Sequence, residues 1–153
     1  MKYIFNSEQI RHYDKKAIET YHLSAELLME HVAMGMKHVI EEHCSSGNIL
    51  IVCGGGDNGA DGLALARLLY SYNVDILLVK EPKSVLCVTQ YKRCQAIKAR
   101  FVDTIYDNYD VIVEAIIGIG HYNTLSLSLQ SIITQLNSCH GLKIACDIPC
   151  GLG

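Results

Sequence analysis

The segment Ile49-Leu-Ile-Val-Cys-Gly-Gly-Gly-Asp-Asn-Gly-Ala-Asp-Gly-Leu63 decides the fold. Ile49 to Cys53 is an unbroken apolar, largely branched run, the pattern of a strand buried on both faces. Glycines follow at once, and a helical pattern of Leu63, Ala66, Leu69 and Tyr70 runs from about Asp61 to Tyr72. Gly54-Gly-Gly-Asp-Asn-Gly59 fits G-x-G-x-x-G between a strand and a helix. Glycines allow close backbone approach, and unpaired amides at a helix start attract anions. The Gly54 to Gly62 loop therefore reads as a cradle for the phosphates of a nucleotide-like ligand. The plainer account is a glycine turn needed only for tight strand–helix packing. Asp57 and Asp61 fit a bare phosphate cradle badly, because carboxylates repel phosphate; they suit ribose hydroxyls, a cation or a proton transfer.

Working outward, the same alternation recurs. Val74 to Val79 predicts a second strand, about Ser84 to Ala99 a helix, and Asp110 to Ile117 a third strong strand. Leu125 to Leu136 reads as helix and Leu142 to Cys146 as a last strand, with a short weak one near Phe101-Val102. Toward the N-terminus, Asn6 or Ser7 caps a first helix, with Gln9 at capping-box distance from Asn6 and apolar positions at Ile10, Tyr13, Ala17 and Ile18. Ser24 opens a second helix whose expected buried stripe is Leu27, Leu28, Val32, Met36, Val39 and Ile40. Strands alternating with helices and lacking hairpin turns imply right-handed βαβ crossovers and an α/β domain with a mostly parallel sheet. Ligands of such sheets bind beyond the carboxyl ends of the strands. Three loops fall there: the glycine loop, Gly118-Ile-Gly-His-Tyr-Asn-Thr124, and Asp147-Ile-Pro-Cys-Gly151.

A chain of 153 residues suits one domain, 1–153, able to bury about 70% of its unfolded surface. A net charge of −3, with no Lys/Arg block longer than two residues, gives no field favouring nucleic acid. The apolar stretches are strand-sized and the first one is too short for a signal peptide, so a soluble, cytoplasmic protein without membrane association is expected. Seven cysteines, an odd number without a C-x-x-C pair, favour reduced thiols over a disulfide framework. The histidines are scattered, without metal-ligand spacing.

Individual residues carry chemistry. Glu114 interrupts an apolar strand, where an unpaired charge costs several kcal/mol; it either faces the crevice and holds a cation or is paired at the strand end. Asp147 precedes Ile-Pro-Cys-Gly, whose Pro149 and Gly151 force a turn that aims it into the crevice. Partial burial would raise its pKa and suit it to acid–base work, against the alternative of a turn aspartate. His121 could move a proton, although an exposed loop histidine is the commoner case, and Cys150 reads as a lining residue.

Together, CGGGDNGADGLALAR, VEAIIGIG and DIPCGL resemble the motifs of the NAD(P)H-hydrate epimerase family, the YjeF N-terminal domain, whose forms approximate G-x-G-N-N-G-G-D-G-L, D-A-I/L-F-G-T-G and D-I-P-S-G. Ser7-Glu-Gln9, Asp14 and Leu28-Met-Glu30 are similar to its opening helices. The resemblance implies a Rossmann-like three-layer αβα sandwich, commonly dimeric, that interconverts the R and S epimers of hydrated NADH or NADPH, with a dehydratase acting beside it. It places substrate binding on Asp57, Asn58, Gly59, Ala60 and Asp61, and on Gly118, Ile119, Gly120, His121, Tyr122, Asn123 and Thr124. Asp147 matches the aspartate proposed for proton transfer at the hydrated nicotinamide carbon and is also placed against the substrate. A potassium ion would be held by Asn58, Glu114 and Cys150.

Three positions depart from the pattern. Asp57 stands for the first asparagine, Glu114 for the strand-end aspartate, and Cys150 for the serine of D-I-P-S-G. Sulfur is a poor ligand for a hard cation, so weak or absent potassium binding is expected. The family's later C-terminal elements are expected to be missing. The alternative to an epimerase is a non-catalytic nucleotide-binding or interaction module of the same descent. A third reading is an NAD-linked oxidoreductase with Glu81, past the second strand, as the ribose carboxylate. A kinase is excluded, because no G-x-x-x-x-G-K-[ST] occurs.

Overall fold

Strand β1 (Asn48–Cys53) lies at the centre of the sheet, and its side chains alternate between two cores. In a computed structural model that describes residues 5–119 and 124–151, Ile49, Ile51 and Cys53 face one core while Leu50 and Val52 face the other. β1 pairs in parallel with β2 (Asn73–Leu78) on one side and with β4 (Val111–Ala115) on the other, Ile51 lying beside Ile76 and Val113. β3 (Arg100–Val102) and β5 (Leu142–Ala145) complete the order β3-β2-β1-β4-β5, with every pairing parallel. The chain thus builds outward to one edge, returns to the centre and builds to the other. That reversal lies between β1 and β4, the place at which such sheets bind their ligands.

Helices α2 (Ala25–His43), α3 (Asp57–Leu68) and α4 (Val85–Ala96) cover one face, and α5 (Leu127–Ser138) covers the other. This is the expected three-layer α/β arrangement. The caps of the first two helices fall where the sequence puts them, and the structure adds those of the later ones. Asn6 accepts the Gln9 amide at 2.9 Å and Gln9 returns the bond, closing the capping box of α1 (Ser7–Glu19). Ser24, Ser84 and Ser126 cap α2, α4 and α5 in the same way, each bond stabilising its helix by about 1 kcal/mol. The Arg67 guanidinium of α3 donates to Glu30 of α2 and to Gln90 of α4, and Gln90 donates to Glu30 at 3.2 Å, which ties the three helices together.

Several expectations are corrected. α3 begins at Asp57, four residues before the expected start, so half of the glycine motif is helical. Its glycines serve close packing: a Cβ on Gly59 would lie 2.0 Å from the Gly54 carbonyl oxygen, and one on Gly62 would lie 2.7 Å from the Ala115 Cβ and 2.8 Å from the Cys53 sulfur. Tyr70, counted in the helical stripe, lies past the helix end and is exposed. The buried face of α2 is Met29, Ala33 and Ile40, with Met36 partly covered, whereas Leu27, Val32 and Val39 are exposed. That helix is apolar on two sides, and periodicity alone does not choose between them; small Ala33 lets it approach α3 closely. α1 buries none of its residues. The weak β3 does form, held partly by Arg100, which bonds buried Asp75 at 2.9 Å, and Asp75 also accepts the Tyr109 hydroxyl at 2.8 Å.

Candidate functional site

The loops after β1, β4 and β5 meet at the sheet edge. The Gly54 amide donates to Ala115 O at 3.0 Å, and the Cys146 amide donates to Glu114 O at 2.8 Å, extending the ladders past the strand ends. The Glu114 carboxylate then binds β4 to the turn after β5. Its Oε1 accepts the Ile116 amide at 2.8 Å and the Cys150 thiol at 3.1 Å, and its Oε2 accepts the Cys150 amide at 2.9 Å. Burial and the adjoining carboxylate push the Cys150 thiol up to about 12, so the sulfur keeps its proton and donates. Of the two accounts of Glu114, the strand-end carboxylate paired with backbone describes what is found.

Asp147 adopts φ 70°. A non-glycine residue in the left-handed region is strained, and such strain persists only where the surroundings fix it. Here the Ile119 amide donates to its Oδ2 at 2.7 Å. The same oxygen lies 2.6 Å from where a Cβ on Gly118 would stand, and the Asn58 Cβ lies 3.7 Å from that point. Any side chain at 118 would therefore push Asp147 aside. The side-chain oxygen and nitrogen of Asn58 are both buried without a hydrogen-bond partner. Asp61 is one turn farther along α3, its Oδ2 3.9 Å from the Cys146 sulfur. Burial first, then the charges of Asp57 and Asp147, raise its carboxyl to about 7, with Asp14 of α1 adding to the rise and the Cys146 contact opposing it. A carboxyl balanced between its two protonation states at neutral pH can both give and take a proton.

The family model described as YjeF-related protein N-terminus matches residues 25–153. This chain belongs to that family. Among YjeF-related proteins it is 35% identical over 153 residues to a bifunctional NAD(P)H-hydrate repair enzyme of Helicobacter pylori, covering 95% of this chain and 32% of that protein. It is 33% identical over 156 residues to an NAD(P)H-hydrate epimerase of Leuconostoc citreum, covering 97% of this chain and 70% of the relative. The chain thus spans about a third of the first relative and over two thirds of the second. The crystal structure of yeast ynu0 superposes with a TM-score of 0.86 at 17% identity, covering 98% of this chain and 72% of that one, a likeness of fold.

Within this YjeF-related domain the expected site residues separate into groups. Asn58, Asp61, Gly118, Ile119 and Asp147 come together, and Glu114 joins Cys150 beside them. Asp57 is exposed at the start of α3, while Gly59 and Ala60 are buried beneath it and serve packing. Thr124 is exposed, and Gly120, His121, Tyr122 and Asn123 lie outside the described residues. One expectation changes: Asp147 is exposed, and the partial burial that suits a carboxyl to proton transfer falls on Asp61. The reason is positional, since Asp147 follows the edge strand β5 whereas Asp61 lies on a helix packed over the central one. Sequence reasoning missed Arg11 of α1, whose Nη2 donates to Ile119 O at 3.0 Å across 108 positions, a separation no local pattern reveals.

The residues implied for potassium fit it poorly. Asn58 offers a buried, unpartnered oxygen, as a cation site needs. Glu114, however, already accepts three donors, and the Cys150 sulfur is a protonated donor with no charge to give. A hard cation prefers six or more oxygen ligands; this set supplies one free amide oxygen and one carboxylate whose lone pairs are mostly taken.

Proposed function

We propose that this domain epimerises hydrated NADH and NADPH, the substrates after which its relatives are named. The observation that carries the reading is the joining of Asp147 and the unpartnered Asn58 amide at Gly118, with Asp61 close enough to Asp147 to feel its charge, at the sheet edge where an α/β fold binds ligands. The hydrated nicotinamide carbon bears a hydroxyl beside the ring nitrogen. A proton delivered to that hydroxyl lets it leave as water while the nitrogen lone pair forms an iminium; water then adds to the opposite ring face and loses its proton to a carboxylate. No redox step or nucleophile is needed. Asp147 is the acid–base residue of this reading, and Asp61 supplies a second carboxyl able to carry the proton. Asn58 has donors and an acceptor for the ring's carboxamide, and the reaction as drawn runs without potassium.

The test is equilibration of the separated R and S epimers, followed by chromatography. The native chain should accelerate it, and Asp147→Ala should cost at least ~100-fold, the scale of a lost general acid–base group. No acceleration by the native chain would overturn the proposal and leave the second reading, a non-catalytic module of the same fold, which the Glu114 and Cys150 departures favour. We further propose a homodimer, supported by the exposed apolar side chains Leu27, Val32 and Val39 along α2, with a separate dehydratase completing the repair in the cytoplasm. Among the described residues no helix is long and apolar enough to cross a membrane.

A further inference from the structure

The phosphates of a dinucleotide suit the acidic group of Asp57, Asp61 and Asp147 badly, because like charges repel. The guanidinium of Arg11 is already donating to Ile119 O. The next opening along the sheet edge is a cleft of about 750 Å³ between the end of β2 and α4, within the range that nucleotide-sized ligands occupy. It adjoins the glycine loop directly. A Cβ on Gly55 would lie 2.3 Å from the Glu81 carbonyl oxygen and 3.5 Å from the Lys80 Cβ, and the Gly55 carbonyl accepts the amides of Lys83 and Ser84 at 2.8 and 3.1 Å.

The cleft has what the crevice lacks. Lys80 and Lys92 both line it, and neither takes part in an ion pair among the described residues. Arg93, one position farther along α4, is bound to Glu26 and Glu30, and Arg100 is bound to Asp75. The two lysines are therefore the charges left for a ligand. Val88 and Tyr91 give an apolar wall, and Tyr91 is braced edge-on against Phe101 at 5.3 Å, so its ring is positioned to stack on a base. Glu81, at the end of β2, is placed to accept ribose hydroxyls.

We infer that this cleft holds the adenosine diphosphate half of the substrate, with its phosphates on Lys80 and Lys92, and that the Asp61–Asp147 crevice is left to the hydrated nicotinamide. The inference rests on the proposed substrate but assigns a compartment that the motifs do not mark. Adenosine 5′-diphosphate, common to both cofactor forms, is the probe. Calorimetry should show it binding to the native chain, and the Lys80→Ala/Lys92→Ala double variant should weaken that binding at least ~10-fold and flatten its salt dependence. In the epimerase assay the same variant should raise KM by a similar factor and leave kcat unchanged, the signature of lost uniform binding. The Lys15→Ala/Lys37→Ala double variant on α1 and α2, of equal charge change and outside the cleft, should alter neither. Unchanged affinity for the probe in the double variant, or an unchanged KM, overturns the cleft assignment. Lysine-dependent binding of the probe in a chain that does not epimerise would overturn the proposed reaction and support the cleft.

Discussion

Asp61→Asn should stabilise the domain at alkaline pH and do nothing at acid pH. The Asp61 carboxyl is raised from 3.8 to about 7 in the folded chain, chiefly by burial and secondly by Asp57 and Asp147. Below pH 3.8 the folded and unfolded states both hold the proton, and the group has no effect. Between there and pH 7 the unfolded chain releases its proton while the folded chain keeps it, so stability falls as pH rises, by about 1.4 kcal/mol for each pH unit. Across this window the loss amounts to about 4 kcal/mol. Residual solvent contact and relaxation of the neighbouring carboxylates should roughly halve it. Asparagine has nearly the same shape and no charge, so it abolishes the loss. Urea unfolding of the native and variant chains at pH 4 and pH 8 measures the difference, and the subtraction cancels every other titrating group not coupled to Asp61. The expected gain is about 2–4 kcal/mol at pH 8 and close to zero at pH 4. An equal gain at both pH values would mean that the effect is packing rather than charge, and no gain at pH 8 would show that Asp61 is well solvated.

Other consequences follow from the same geometry. Gly62→Ala should cost about 1–3 kcal/mol by overpacking, since its methyl would meet Ala115 and Cys53 inside 3 Å; a thermal melt that does not move would contradict the contact. Tyr109→Phe removes the hydroxyl that donates to buried Asp75 and should cost about 1–3 kcal/mol in chemical unfolding. Cys150→Ser replaces a sulfur donor by an oxygen, so a melting temperature indifferent to potassium chloride against choline chloride should become potassium-dependent in the variant. A specific potassium shift already present in the native chain would refute the poor fit of this site.

What the sequence could reveal divides along the range of the forces involved. The strand at Ile49 to Cys53, the capping box at Asn6, the helix start at Ser24 and the alternation of elements are local, and local pattern found them. The start of α3 was misjudged because glycine is a poor helix former in isolation, whereas Gly59 and Gly62 are demanded there by the Gly54 carbonyl and by Ala115 and Cys53, contacts that exist only once the sheet is built. The choice of buried face on α2 held at Ile40 and Met36 and failed at Leu27, Val32 and Val39 for the same reason. The site followed this division too. Pattern and resemblance named the three loops, and topology brings them together because β1 and β4 are neighbours at the reversal point. Neither could say which carboxyl would carry the raised pKa. That depends on depth: Asp147 hangs on the turn after an edge strand and stays wet, while Asp61 is pressed by α3 against the end of β5, near Cys146 and opposite two like charges. The two aspartates look equally chemical in sequence, and it is the depth of Asp61 in the fold that lifts its carboxyl to about 7. A carboxyl poised near neutrality is what a reaction that first gives and then takes a proton requires.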